Sequence, residues 1–213
     1  MLDFILHVDE HLQQLLRDWG LWTYVLLFVI VFSETGLVVT PFLPGDSLLF
    51  AAGSLSALYP DLLPLVPLLI VLLLAAVLGD AVNYAIGAWI GPRAFSGRVP
   101  LLNQRHLLRA QEFYERHGGK AIVLARFVPI VRTFAPFVAG IAGMQYGRFA
   151  LYNVSGGFVW VLLCTLAGYW FGNLPLVKQN FELVIIAIIG LSLVPLAWEW
   201  WRERVRASKR AEP

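Results

Sequence analysis

The stretch Glu34-Thr-Gly-Leu-Val-Val-Thr-Pro41-Phe-Leu-Pro44-Gly45-Asp46 decides the fold. It separates two apolar runs, residues 21–32 and 47–58. Each run is about a dozen residues, or roughly 18 Å of helix, while a bilayer core needs about 30 Å. Neither run crosses a membrane alone. The prolines and glycines between them forbid one continuous helix. The simplest reading is a helical hairpin that enters a membrane and returns.

Composition demands the membrane. Of 213 residues, 59% are hydrophobic and 14% charged, with a mean hydropathy of +0.71. A soluble domain is nearer half apolar and a quarter charged. An ordinary cytosolic enzyme and a disordered chain are both excluded. The net charge of +2 offers no broad basic surface for nucleic acid. Cys164, the one cysteine, sits in an apolar run and reads as a small core residue. Asp3, Asp9 and Glu10 precede any basic residue, so no cleavable signal peptide is expected.

Residues 2–19 read as an amphipathic helix lying on the membrane surface, ended by Gly20. Residues 65–90 form a run long enough to cross, ended by Gly91-Pro92. Residues 92–120 are polar and basic, with a short helix from Asn103 to His117. Residues 121–144 are apolar but carry Arg126, Pro129, Arg132, Pro136, Gly140 and Gly143. Residues 149–171 and 181–201 are apolar spans, and the tail 202–213 is basic. The basic loop and the basic tail both belong in the cytoplasm. An even number of crossings must separate them, and the last two spans supply that number. Residues 121–144 therefore dip in and return, residues 65–90 start outside, and the first hairpin enters from outside.

Two units result, each a broken hairpin followed by a span, entering from opposite faces. Gly87-Ala-Trp89-Ile-Gly91 ends the first span and Gly168-Tyr-Trp170-Phe-Gly172 ends the second. This echo fits inverted repeats of the kind that build secondary transporters. The expected fold is an all-α membrane protein: an interfacial helix (1–20), one membrane domain (21–201) of two inverted units plus a C-terminal transmembrane helix, and a cytoplasmic tail (202–213).

Glu34, Asp46, Asp80, Arg126 and Arg132 lie at membrane depth. Each costs at least ~2.5 kcal/mol at a helix centre, so they must pair or face a wet cavity. Four of them sit in the two broken segments, where irregular backbone is tolerated only against protein or water. Acids from the first hairpin and arginines from the second thus point to one polar cavity. Arg126 and Arg132 would diverge on an unbroken helix, and a break at Pro129 lets them converge. Converging guanidinium forks suit a phosphate. Half-helix N-termini after Pro44-Gly45 or at Pro136 would add backbone donors. Carboxylates differ in kind, because a group that alternates between wet and dry surroundings can carry a proton. The competing reading is a set of static salt bridges holding the hairpins together. Asp80, with Asn83 and Tyr84, also suits a helix face built for close packing.

His7 and His11 are spaced i, i+4 with no third ligand, so no metal site is expected. Trp198, Trp200 and Trp201 beside Arg202 read as an interfacial belt. No nucleotide loop, HExxH motif or serine elbow is present, and no cofactor or enzymatic activity is expected.

Four stretches resemble the DedA family of bacterial inner-membrane proteins, part of the superfamily of VTT or SNARE-associated domains. They are Glu34 to Asp46 as quoted, Gly79-Asp80-Ala-Val-Asn-Tyr84, Phe113-Tyr-Glu-Arg-His-Gly-Gly-Lys120, and Leu124-Ala-Arg126-Phe-Val-Pro-Ile-Val-Arg132-Thr-Phe-Ala-Pro-Phe-Val-Ala-Gly140. The resemblance covers nearly the whole chain. It implies opposed re-entrant loops, with Glu34 and Asp46, Arg126 and Arg132 as the functional pairs. It also implies translocation of a lipid carrier such as undecaprenyl phosphate, or of a phospholipid, driven by the proton motive force. The expected activity is flipping of an anionic lipid, with the phosphate on Arg126 and Arg132 and protons on Glu34 and Asp46. Asp80, Asn83, Tyr84, Pro129 and Pro136 are supporting candidates. A proton-coupled antiporter of small cations or drugs and a non-transport scaffold are the alternatives. The expected partners are lipid head groups and protons, and homo-oligomerisation is compatible with the reading.

Overall fold

The computed structural model describes residues 8–37, 45–94, 119–175 and 177. Among the described residues the regular secondary structure is all helix, in seven elements. They are α1 (Val8–Trp19), α2 (Leu21–Gly36), α3 (Gly45–Leu58), α4 (Leu65–Ala94), α5 (Lys120–Ala125), α6 (Pro129–Ile141) and α7 (Tyr146–Gly172). Two helices, α4 and α7, are long and apolar enough to cross a membrane. The expected helix at 103–117, the C-terminal span 181–201 and the tail lie outside the described residues.

Punctuation explains the boundaries. Gly20, at φ 44°, separates α1 from α2, a backbone state that residues with a Cβ seldom adopt. The first break falls after Gly36, as the sequence predicts, although Glu34 continues α2 rather than interrupting it. The second break falls between Ala125 and Pro129. Pro129 opens α6, where its missing N–H costs nothing.

Two expectations are corrected. Pro136 lies inside α6, not at a half-helix N-terminus. The first turn is already closed at Pro129, with the Arg132 amide donating to the Val128 carbonyl at 2.9 Å. Gly91-Pro92 does not end α4, which continues to Ala94. A proline this near a helix end forfeits one backbone bond only.

The order of contacts fixes the chain directions. From Asp46 to Ala57, α3 meets α7 from Trp160 to Gly172 in the same order, so the two run parallel. Likewise α6 runs parallel to α4, with Thr133 at Asn83, Phe137 at Gly87 and Ile141 at Gly91. The first half-helices, α2 and α5, run parallel to α4 and α7 respectively. Helices α4 and α7 are antiparallel, with Val77 beside Asn153 and Val66 and Leu69 towards Val161 and Leu162. Each unit is therefore an antiparallel helix pair followed by a long helix. The second half-helix of each unit packs on the long helix of the other.

The exchange is matched residue for residue. A Cβ on Gly53 would collide with the Thr165 carbonyl, and one on Gly140 with the Tyr84 carbonyl. A Cβ on Gly168 would collide with the Phe50 carbonyl, and one on Gly87 with the Phe137 carbonyl. The glycines of the sequence echo thus occupy equivalent backbone crossings in the two units. The apolar core lies beside them, built on Val31, Leu49, Leu68, Leu72, Ala75 and Val161.

Candidate functional site

Both breaks deliver charge to the middle of the molecule. Glu34 stands in the last turn of α2 and Asp46 in the first turn of α3. Arg126 follows α5 and Arg132 lies in the first turn of α6. The half-helix ends of the two units meet there, and their charges interleave.

Arg132 divides its fork between two acids. Its Nη1 donates to Asp46 Oδ1 at 2.6 Å and its Nη2 to Glu34 Oε1. Arg126 pairs elsewhere: its Nη2 donates to Asp80 Oδ2 on α4 and to Asn153 Oδ1 on α7. Both guanidiniums line one cavity, as the break at Pro129 predicts, but their acids differ. Arg126 follows α5, which packs on α7, and so reaches the carboxylate of the crossing helix instead. Asp80 carries an ion pair rather than serving the packing of α4 alone.

Trp160 of α7 joins the two pairs. The Arg132 guanidinium lies 5.0 Å from its ring centroid and that of Arg126 lies 5.8 Å away, within cation–π range. The indole N–H donates to Asp46 Oδ1 at 2.7 Å. Asn83 ties the two units together from α4, donating to the Thr35 carbonyl at 2.9 Å and the Thr133 carbonyl at 2.8 Å. Asn153 donates to the Val77 carbonyl at 3.0 Å. Tyr84, a supporting candidate, lies apart from the charges, with its hydroxyl on the Met144 carbonyl and its ring against Phe149.

Burial separates the hairpin acids. The Glu34 side chain is 1% exposed, whereas that of Asp46 is 53% exposed. Asp46 is the carboxylate that the surroundings can reach. A side chain at Gly45 would collide with the Glu34 carboxylate, so the chain leaves the first break on a residue without one. Thr35, Asp80, Arg126, Arg132, Thr133 and Trp160 line a cavity of about 10 Å³, room for about one water. The Nε atoms of both arginines are buried there without hydrogen-bond partners. No cluster of three or more metal-ligating side chains occurs among the described residues.

Residues 43–170 match the VTT domain. The chain is 51% identical over 213 residues to Protein DedA of Escherichia coli K12, covering 100% of this chain and 97% of that protein. The chain belongs to the DedA family. Other relatives include an uncharacterized membrane protein of Mycobacterium tuberculosis H37Rv, 44% identical over 79% of this chain and 74% of the relative. Inner membrane protein YqjA of E. coli K12 is 35% identical over 82% of this chain and 79% of the relative. No solved structure matches. Membership makes this a bacterial inner-membrane protein, of a family not known as enzymatic.

Sequence reasoning from the charges missed Asn153 and Trp160 in this DedA-family site. Both lie inside a run read as an uninterrupted apolar span. Asn153 is itself a polar residue at membrane depth, and Trp160 is a tryptophan far from the interfacial belt where that residue gathers. Those were the available signals.

Proposed function

We propose that this protein flips an anionic lipid, a polyisoprenyl phosphate or a phospholipid, across the inner membrane. The phosphate engages Arg132 and Arg126 while the tails stay in lipid, and Glu34 and Asp46 take up and release protons. The observation that carries this reading is the meeting of two oppositely directed half-helix pairs at one cluster of guanidiniums and carboxylates. Irregular backbone at membrane depth belongs where a polar pathway runs.

In this reading α2–α3 and α5–α6 are re-entrant hairpins. Their longest members, of 16 and 13 residues, give about 24 and 20 Å of helix, short of the roughly 30 Å needed. Residues 21–201 act as one membrane domain, helix α1 lies along the surface, and the basic loop and tail face the cytoplasm. Purified protein in vesicles tests the function. Flipping of a fluorescent anionic lipid is expected, with loss in Arg132→Ala. Undiminished flipping in that variant sinks the reading.

One observation favours a second reading, a proton-coupled antiporter of small cations. Three carboxylates face two guanidiniums in the described cluster, a surplus of negative charge. Cation addition would then release protons in a weakly buffered assay. No release across several cations removes this alternative.

A further inference from the structure

We infer that Asp80 is a displaceable counter-ion, and that the site takes up one proton for each net negative charge of the head group it binds. The inference rests on the anionic-lipid reading above and adds both a residue and a count to it.

The argument begins with space. The cavity between the two ion pairs holds about 10 Å³, room for one water and not for a phosphate. Yet Arg126 Nε and Arg132 Nε both lack acceptors. A phosphate reaches the two guanidiniums only by moving carboxylates off them. On Arg132 those are Glu34 and Asp46, and on Arg126 it is Asp80. Asn153 can remain, since a neutral amide oxygen competes less with an anion than a carboxylate does.

Charge sets the count. Helix α2 brings Glu34, α3 brings Asp46, α4 brings Asp80, and the second unit brings Arg126 and Arg132. Helix α7 adds no charged group to these pairs; Cys164 is its titratable side chain within their field. Net charge in a low-dielectric interior is costly. With one proton among three carboxylates the resting site is neutral. A bound monoanion keeps it neutral when one more proton enters, and a dianion when two do. Three carboxylates supply just enough capacity for a dianion. Protons and lipid then move together without net charge, and an inward proton gradient drives the head group inward.

Proton uptake on lipid binding tests this in detergent micelles, read with a pH indicator in weak buffer. Phosphatidylglycerol is the monoanionic probe, phosphatidic acid at a pH that makes it dianionic is the second, and zwitterionic phosphatidylcholine is the control. About one, two and zero protons per bound head group are expected while the site keeps its resting proton, and one more per anionic head group once that proton is lost. Equal uptake with all three overturns the inference. Asp80 has its own readout. On the alkaline side, where the wild-type site has lost its resting proton, phosphatidylglycerol affinity falls by up to about a hundredfold per pH unit, which is two protons. Asp80→Asn has no surplus carboxylate, so its affinity falls about tenfold per unit, while Asp80→Glu keeps the steep profile. An Asp80→Asn profile parallel to wild type overturns the role of Asp80. If Asp80→Asn does not fold, the head-group series and Asp80→Glu still decide. Wild type that binds neither anionic lipid sinks both this inference and the lipid reading. Binding lost in Arg132→Ala but with uptake indifferent to head-group charge sinks this inference alone.

Discussion

Asp46 Oδ1 accepts from the Trp160 indole N–H at 2.7 Å and from Arg132 Nη1 at 2.6 Å. One oxygen thus ties the start of the first unit's second half-helix to the long helix and the hairpin of the other unit. Asp46 is the most exposed member of the cluster, so Trp160 holds the carboxylate that would otherwise be freest.

This predicts graded effects at Trp160. Trp160→Phe loses the N–H and keeps a ring beside both guanidiniums. A hydrogen bond to a charged group is worth about 1.5–3 kcal/mol, so lipid flipping in vesicles should drop by roughly ten- to a hundredfold. Trp160→Leu also loses the cation–π contacts and should fall further. Equal rates for the two variants would show that the ring face contributes nothing.

The two arginines should tolerate lysine unequally. Arg132 divides two nitrogens between two acids, whereas Arg126 uses one nitrogen for both its partners. A lysine is a point charge without a fork. Arg132→Lys should reduce transport by about tenfold or more and Arg126→Lys by only a few-fold, about 1 kcal/mol against 1.4 or more. Full activity in both would favour static ion pairs.

Asn83 clasps both units through two buried carbonyls. Asn83→Leu removes the shared donor, leaving the Thr35 carbonyl in the last turn of α2 without it, and should lower stability by about 1–3 kcal/mol. Asn83→Asp should be worse, because a carboxylate then faces two carbonyl oxygens. Thermal unfolding in detergent ranks the three proteins, and a leucine variant as stable as wild type would deny the clasp.

Matched glycines should fail alike. Gly53→Ala and Gly140→Ala each drive a methyl into a backbone carbonyl of the other unit's long helix. Both should cost about 1–3 kcal/mol or more, as overpacking does. Gly143, at φ 72° with open space around its Cβ position, should cost only the left-handed backbone penalty of about 1–2 kcal/mol on Gly143→Ala. Unfolding midpoints of the three variants check this. A large gap between Gly53→Ala and Gly140→Ala would break the equivalence of the units.

Much was legible in the chain because hydrocarbon penalises polar groups wherever they stand. The breaks after Gly36 and before Pro129 follow from proline and glycine punctuation and short apolar runs. The charged candidates Glu34, Asp46, Asp80, Arg126 and Arg132 follow from the expense of charge at that depth. Pro136 misled because a proline inside a helix and a proline starting one look alike in sequence, and the choice fell to Pro129 seven residues earlier.

The sequence by itself determined which residues must be paired, since the cost of an unpaired charge in lipid depends on its chemistry and depth alone. Only the tertiary structure decided the partners: Asp80 for Arg126, Glu34 and Asp46 for Arg132, with Trp160 between. Pairing over such separations depends on which helix packs against which. Here the glycine crossings exchange the second half-helices between the units, and that close backbone approach carries each charge to its counter-ion.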